Sequence, residues 1–193
     1  EDLQKHYGGY GVGWIDAGND LDQYKHTVDK KFTGLTEHMV KKPASYDANQ
    51  AGIAERYYTM NGQATMSYAP FSLSHEYPLT EKWASTWLYL RSKGGANVTF
   101  EIDGGKTSTQ RVNPSAEVQA VKMDGVTSHA TIKVDGSNTV LFGTSQESHE
   151  GIILDNFSMR GSSGTTLAKL PEQMLKEFAR VRPYDLIVFQ FGV

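Results

Sequence analysis

A chain of 193 residues, 38% hydrophobic and 21% charged, holds enough apolar material for one large domain or two small ones, and too much for wholesale disorder. Nineteen basic against 22 acidic side chains give a net charge of −3, which excludes a dedicated nucleic-acid binder resting on phosphate neutralisation. No apolar run reaches the roughly 20 residues of a membrane-spanning helix, and the absence of cysteine removes disulfides, thiolate metal sites and cysteine nucleophiles together.

In residues 1–19, Leu3 and His6-Tyr7 are read as the end of a helix and Val12-Gly13-Trp14-Ile15 as a strand. From 20 to 156 the chain reads as short strands punctuated by Gly, Asn and Asp. Residues 83–91 alternate with period two, which sets Ala84, Thr86, Leu88 and Leu90 on one face and Trp83, Trp87 and Tyr89 on the other. Lys93-Gly94-Gly95-Ala96-Asn97 is expected to be a hairpin loop leading into Val98-Thr99-Phe100-Glu101-Ile102, which Asp103-Gly104-Gly105 turns again. Further strands over 118–123, 130–134 and 139–142 are expected to end at Asp124-Gly125, Asp135-Gly136 and Gly143. Short strands at such spacing, with almost no helical periodicity between them, point to an antiparallel sandwich of the jelly-roll kind.

The last forty residues differ. After Gly151-Ile152-Ile153-Leu154-Asp155-Asn156 and a Gly/Ser loop, apolar residues at Leu167, Leu170, Met174, Phe178 and Val181 define one helical face. Pro171 is tolerable only early in that helix, and Arg182-Pro183 stops it. From Asp185 the chain is continuously apolar, the pattern of a strand covered on both faces in a parallel sheet. A β-loop-α-β unit is therefore expected behind the sandwich. The chain opens at Glu1 without methionine and stops inside this apolar run, so a fragment of a longer protein is expected.

Several groups have side chains suited to chemistry. Gly161-Ser162-Ser163-Gly164-Thr165-Thr166 precedes the helix, where unpaired amides can hold an anion or a developing oxyanion; an ordinary loop with Ser163 or Thr165 as N-cap fits the same spacing. Trp83, Trp87 and Tyr89 offer flat surfaces for sugar rings, or else they are sandwich core. Asp103, Asp124 and Asp135 precede glycines as calcium-loop residues can, but each sits at an expected hairpin turn, and turn chemistry alone explains them. His6, His26, His38, His75, His129 and His149 are dispersed without metal-ligand spacing, and neither a metal nor another cofactor is expected. Lys30-Lys31 and Lys41-Lys42 read as solvated faces, and Tyr7-Gly8-Gly9-Tyr10-Gly11-Val12-Gly13-Trp14 does not match a dinucleotide fingerprint.

Asn156-Phe157-Ser158-Met159-Arg160-Gly161-Ser162-Ser163-Gly164-Thr165-Thr166, the helix, Arg182-Pro183-Tyr184-Asp185 and the strand ending Phe191-Gly192-Val193 resemble the second and third blocks of SGNH (GDSL-type) hydrolases. The resemblance implies a serine esterase acting without metal on acyl, above all acetyl, esters of a polysaccharide. Gly164 would supply an oxyanion-hole N–H and Ser163 would shape the turn, with Trp83, Trp87 and Tyr89 as substrate-binding candidates. It also implies a jelly-roll, carbohydrate-binding-module-like sandwich (20–156) inserted in a partial α/β, flavodoxin-like domain (1–19 and 157–193). Its location would be periplasmic, cell-surface or secreted. Gly-Asp-Ser and Asp-x-x-His, which carry the family's nucleophile and base, are absent from the sequence, so the chain alone is expected to be inactive. The rival expectation is a non-catalytic sandwich that binds a glycan or another protein.

Overall fold

The computed structural model describes residues 1–18, 28–71, 76–159 and 164–191. A short helix α1 (Asp2–Tyr7) leads into β1 (Gly11–Asp16), β2 (Val28–Met39), β3 (Arg56–Pro70), β4 (Trp83–Ser92), β5 (Ala96–Ile102), β6 (Lys106–Val112), β7 (Gln119–Thr127), β8 (Ala130–Gly136) and β9 (Thr139–Glu147), and a second helix, α2 (Glu172–Val181), follows. Every ladder is antiparallel, in the order β6-β5-β8-β3-β9-β4-β7, with β1 beside β9 and β2 beside β3. The long β3 joins the two halves, pairing with β8 through Gln63 to Tyr68 and with β9 through Tyr58 and Thr59.

Alternation builds the core. Val98, Phe100 and Ile102 of β5 and Ile132 and Val134 of β8 face Leu88 and Leu90 of β4, Leu141 of β9 and Ile15 of β1, all buried in one cluster. Each side chain of this size contributes about 1.5–3 kcal/mol when removed from water. A second apolar cluster lies on the opposite face of the β1-β9-β4-β7 layer. There Trp14, Tyr89, Val140 and Phe142 meet Leu170, Met174 and Phe178, so α2 roofs that face. Met174 and Phe178, i and i+4 on α2, share one stripe as the periodicity predicts, and Leu170 joins the same cluster from extended backbone ahead of the helix. Pro171 stands at the N-cap of α2 with extended backbone, and Leu167–Lys169 forms a separate 3₁₀ turn before it. The proline therefore starts the helix rather than bending it.

The structure corrects three turns. Residues 93–95 do not close a hairpin: β4 pairs with β7 and β9 while β5 pairs with β6 and β8, so this loop crosses between layers. Asp124-Gly125 lies within β7, where the register against β4 shifts between Trp83 and Ser85. Gly143 lies within β9, because the Trp14 indole fills its place; a Cβ there would come 2.4 Å from Trp14 Cζ2.

The α/β expectation is corrected as well. The predicted strand near Trp14 exists, but it pairs antiparallel with β9 inside the sandwich. Residues 151–155 form no strand and run along the glycines of the opening segment instead. Ile152 N donates to Gly8 O at 3.0 Å, and Gly13, at φ +72°, leaves no room for a Cβ, which would come 2.4 Å from Leu154 O. Residues 186–191 have no strand partner among the described residues and are exposed. With neither flanking strand formed, the described residues contain no parallel sheet and no flavodoxin-like domain.

Candidate functional site

The aromatic residues singled out above lie on β4, and the fold divides them between the two faces of the β1-β9-β4-β7 layer. Tyr89 is 1% exposed, beneath the α2 roof and against Trp14, with ring centroids 5.1 Å apart. Trp83 is fully buried in the inter-layer core, where its Nε1 donates to Thr86 Oγ1 at 2.9 Å. It therefore leaves the Trp87/Tyr89 face at the register shift that opens β4, which period-two counting does not foresee. Trp87 alone of the three is only partly buried, at the rim of the roof.

Trp87 has a polar frame. Its indole lies beside Tyr89 at 6.2 Å and 12° between planes, and Lys122 Nζ, directly across on β7, is 5.1 Å from the ring centroid. One step along both strands, Ser85 Oγ donates to Asp124 Oδ1 at 2.6 Å. Asp124 Oδ2 is 3.1 Å from Lys122 Nζ, and His149 Nε2 is 3.5 Å from Asp124 Oδ1. The Ser85 hydroxyl, outweighing partial burial, holds the Asp124 carboxyl below its ordinary value, with Lys122 and His149 adding to the effect. An aromatic platform thus stands beside a carboxylate, an ammonium, a hydroxyl and an imidazole. Sequence reading reaches Trp87, explains Asp124 by turn chemistry, reads His149 as dispersed without metal-ligand spacing, and gives no role to Ser85 or Lys122. The signal present was the i, i+2 spacing of Ser85 with Trp87 and of Lys122 with Asp124, which says that each pair shares a face but not that β4 and β7 are neighbours.

Behind this rim, Arg182 pins the end of α2 to the sheet. Its Nε and Nη2 donate to the two Asp155 oxygens at 2.5 and 2.8 Å, and its Nη1 donates to Glu147 Oε1 at 2.5 Å and Tyr89 Oη at 2.6 Å. Nη2 also donates to Ser145 Oγ at 3.1 Å, and Ser145 itself donates to Glu147. Trp14 N and Tyr184 Oη donate to Asp155 at 2.9 and 2.6 Å. Burial alone would raise the Asp155 carboxyl, but Arg182's hydrogen bonds and charge outweigh it and hold the group below its ordinary value. A carboxylate depressed by folding lends stability that is full above its unfolded value, about pH 4, and is lost as pH falls through the lower folded value. Urea midpoints followed downward from neutral pH are therefore expected to fall more steeply in the wild-type chain than in Asp155→Asn. Parallel profiles would contradict the assignment.

Gly164 sits at φ +78° with the Phe191 ring over it; a Cβ there would come 2.7 Å from that ring. Its carbonyl accepts from Leu167 N at 3.1 Å, ahead of the 3₁₀ turn and well before α2. Gly164 is therefore not at the N-terminus of the helix, which is where the anion-holding argument had put it. Ser163 lies outside the described residues. Ser128, His129 and Asp103 do meet, but His129 Nδ1 faces both Ser128 Oγ (3.0 Å) and Asp103 Oδ1 (3.2 Å), while the Ser128 hydroxyl donates to Asp103 Oδ2 at 2.9 Å. A nucleophilic relay needs the two imidazole nitrogens to serve serine and aspartate separately, so this trio ties two turns together. No three His, Asp or Glu side chains among the described residues are placed to hold a metal. No described helix is long and apolar enough to cross a membrane.

No family model matches the chain, and no curated protein matches it. Among solved structures, a family 6 carbohydrate-binding module is similar at 12% identity over 72% of this chain and 95% of that one, with a TM-score of 0.41. A family 29 carbohydrate-binding module is similar at 12% identity over 72% and 89%, with a TM-score of 0.41. CsCBM6-3 from Clostridium stercorarium, solved in complex with cellobiose, is similar at 11% identity over 72% and 95%, with a TM-score of 0.40. The expected SGNH hydrolase is corrected here. The parallel sheet on which that resemblance depended does not form in the described residues, where every ladder is antiparallel. The expected esterase activity falls with it.

Proposed function

We propose that the chain is a non-catalytic saccharide-binding β-sandwich module whose platform is Trp87. The observation that carries this reading is the partly buried indole with Asp124, Lys122, Ser85 and His149 set around it. A pyranose ring presents an apolar C–H face and a rim of hydroxyls, each of which donates and accepts. The indole takes the first by stacking; Asp124 accepts from and Lys122 donates to the second. Trp83 and Tyr89, buried in the two apolar clusters, act by packing rather than by touching the ligand. A polysaccharide partner is met at the cell surface or in the medium, and there we infer that such a module acts.

The test is calorimetric titration of the chain with cellobiose, β-1,4-galactotriose and mannohexaose, each carried by one of the similar modules. At least one is expected to bind, and Trp87→Ala is expected to lose about 2 kcal/mol or more, roughly 30-fold in Kd, as central aromatic contacts do. Asp124→Asn is expected to weaken the same ligand less. Binding that Trp87→Ala leaves intact would show that the platform lies elsewhere. Failure of the three sugars and of longer polysaccharides to bind would end the proposal.

A further inference from the structure

We propose that the Trp87 site selects sugars with a carboxylate in place of the C6 hydroxymethyl, the uronic acids, over their neutral counterparts, and that Lys122 is the residue that selects; this rests on the platform reading above. Lys122 Nζ stands over the indole, 5.1 Å from the ring centroid, and 3.1 Å from Asp124 Oδ2. A pyranose that stacks there takes the place of the ammonium. Binding therefore starts by releasing a cation.

Lys122 can yield where Asp124 cannot. Asp124 stays held by the Ser85 hydroxyl at 2.6 Å and faces His149 Nε2 at 3.5 Å, whereas the Lys122 side chain, 43% exposed, swings on a flexible four-carbon stem. A neutral sugar offers the released ammonium only hydroxyls in exchange for two lost partners, an indole face and a carboxylate. A uronate returns an ion pair. A second ammonium lies close by, since Lys106 Nζ donates to the Asp124 carbonyl at 3.3 Å. Glu147, beside Ser85 on β9, has its charge met by Arg182. Two ammoniums thus stand against the Asp124 carboxylate. The net charge of −3 over the whole chain supplies no long-range attraction for an acid, so the preference is local.

The experiment is calorimetric titration with matched pairs, cellobiose against cellobiouronate and mannohexaose against hexamannuronate, which differ only in carrying C6 as hydroxymethyl or as carboxylate. In each pair that binds, the acid is expected to be about 5-fold tighter at low salt, the size of one exposed ion pair. The gap is expected to close between about 0.01 and 1 M ionic strength, where the Debye length falls from ~30 to ~3 Å. Lys122→Met is expected to erase the preference and Lys122→Arg to keep it. Lys133→Met, the same change of charge on β8 in the other layer, is expected to leave it intact. Equal affinities within each pair, or a preference that survives Lys122→Met, would overturn the inference and leave the platform standing wherever Trp87→Ala still weakens binding. Absence of binding by all four sugars would also overturn it, while the platform reading fails separately, by its own titrations.

Discussion

Arg182→Ala is expected to lower the stability of the chain by about 3–5 kcal/mol, because it strands two carboxylates that the fold has taken out of water. Asp155 and Glu147 have side-chain exposures of 3 and 15%, and Arg182 bridges both. The loss is larger than that of an exposed ion pair, about 0–1 kcal/mol, since what remains after truncation is an unpaired buried charge rather than a solvated one. It also removes the side-chain tie between the end of α2 and the sheet, while the backbone bond from residue 182 N to Phe178 O remains. For a chain of this size each kcal/mol moves the melting point by about 2–4 °C, so a fall of the order of 10 °C is expected by calorimetry. The double variant Arg182→Met with Asp155→Leu is expected to recover part of it, because apolar replacements remove the stranded charge with its partner. A single-variant loss below about 1 kcal/mol would contradict the description of this cluster.

Phe178→Ala is expected to cost a comparable amount, about 3–5 kcal/mol, by opening a cavity between the roof and the sheet. The Phe178 ring meets Phe142 edge-on at 5.1 Å and Trp14 at 6.2 Å, and it closes so tightly on Gly52 that a Cβ there would come 3.1 Å from it. Because those neighbours belong to β1, β9 and the loop before β3, the cavity has little freedom to collapse. Urea denaturation followed by tryptophan fluorescence reads the effect, with Trp14 as reporter. A neutral result would mean that α2 does not roof this face in solution.

Those two effects fall on residues the sequence reveals unequally. The stripe of Met174, Phe178 and Val181 is plain from spacing alone, because helical periodicity needs only local order, whereas Leu170 shares their cluster from outside the helix. Arg182 is visible in sequence as the helix stop before Pro183 and as part of the Arg182-Pro183-Tyr184-Asp185 stretch; its partners Glu147, Asp155 and Tyr89 are far away in sequence, and nothing local announces that they converge. The same limit separates the strands from their pairing. Alternation locates β4, β5 and β8, yet it does not say that β4 and β5 belong to different layers, so residues 93–95 look like a hairpin. A register shift inverts Trp83 relative to Trp87 and Tyr89, and no composition signal marks it. The continuous apolarity of 186–191 states a need for cover on both sides without naming what supplies it, which is how an expectation of a parallel sheet arose. Of the candidate site, Trp87 was legible as an aromatic on an alternating strand. Ser85, Lys122, Asp124 and His149 became meaningful only once β4, β7 and β9 were neighbours.

The division of the aromatics into two buried side chains and one platform is open to direct measurement through the three tryptophan indole N–H signals, assigned by single Trp→Phe variants and followed while the chain is titrated with mannohexaose and cellobiose. Trp87 is expected to shift with the sugar while Trp83 and Trp14, buried in separate clusters, hold still. Movement of Trp14 or Trp83 with Trp87 unmoved would contradict it.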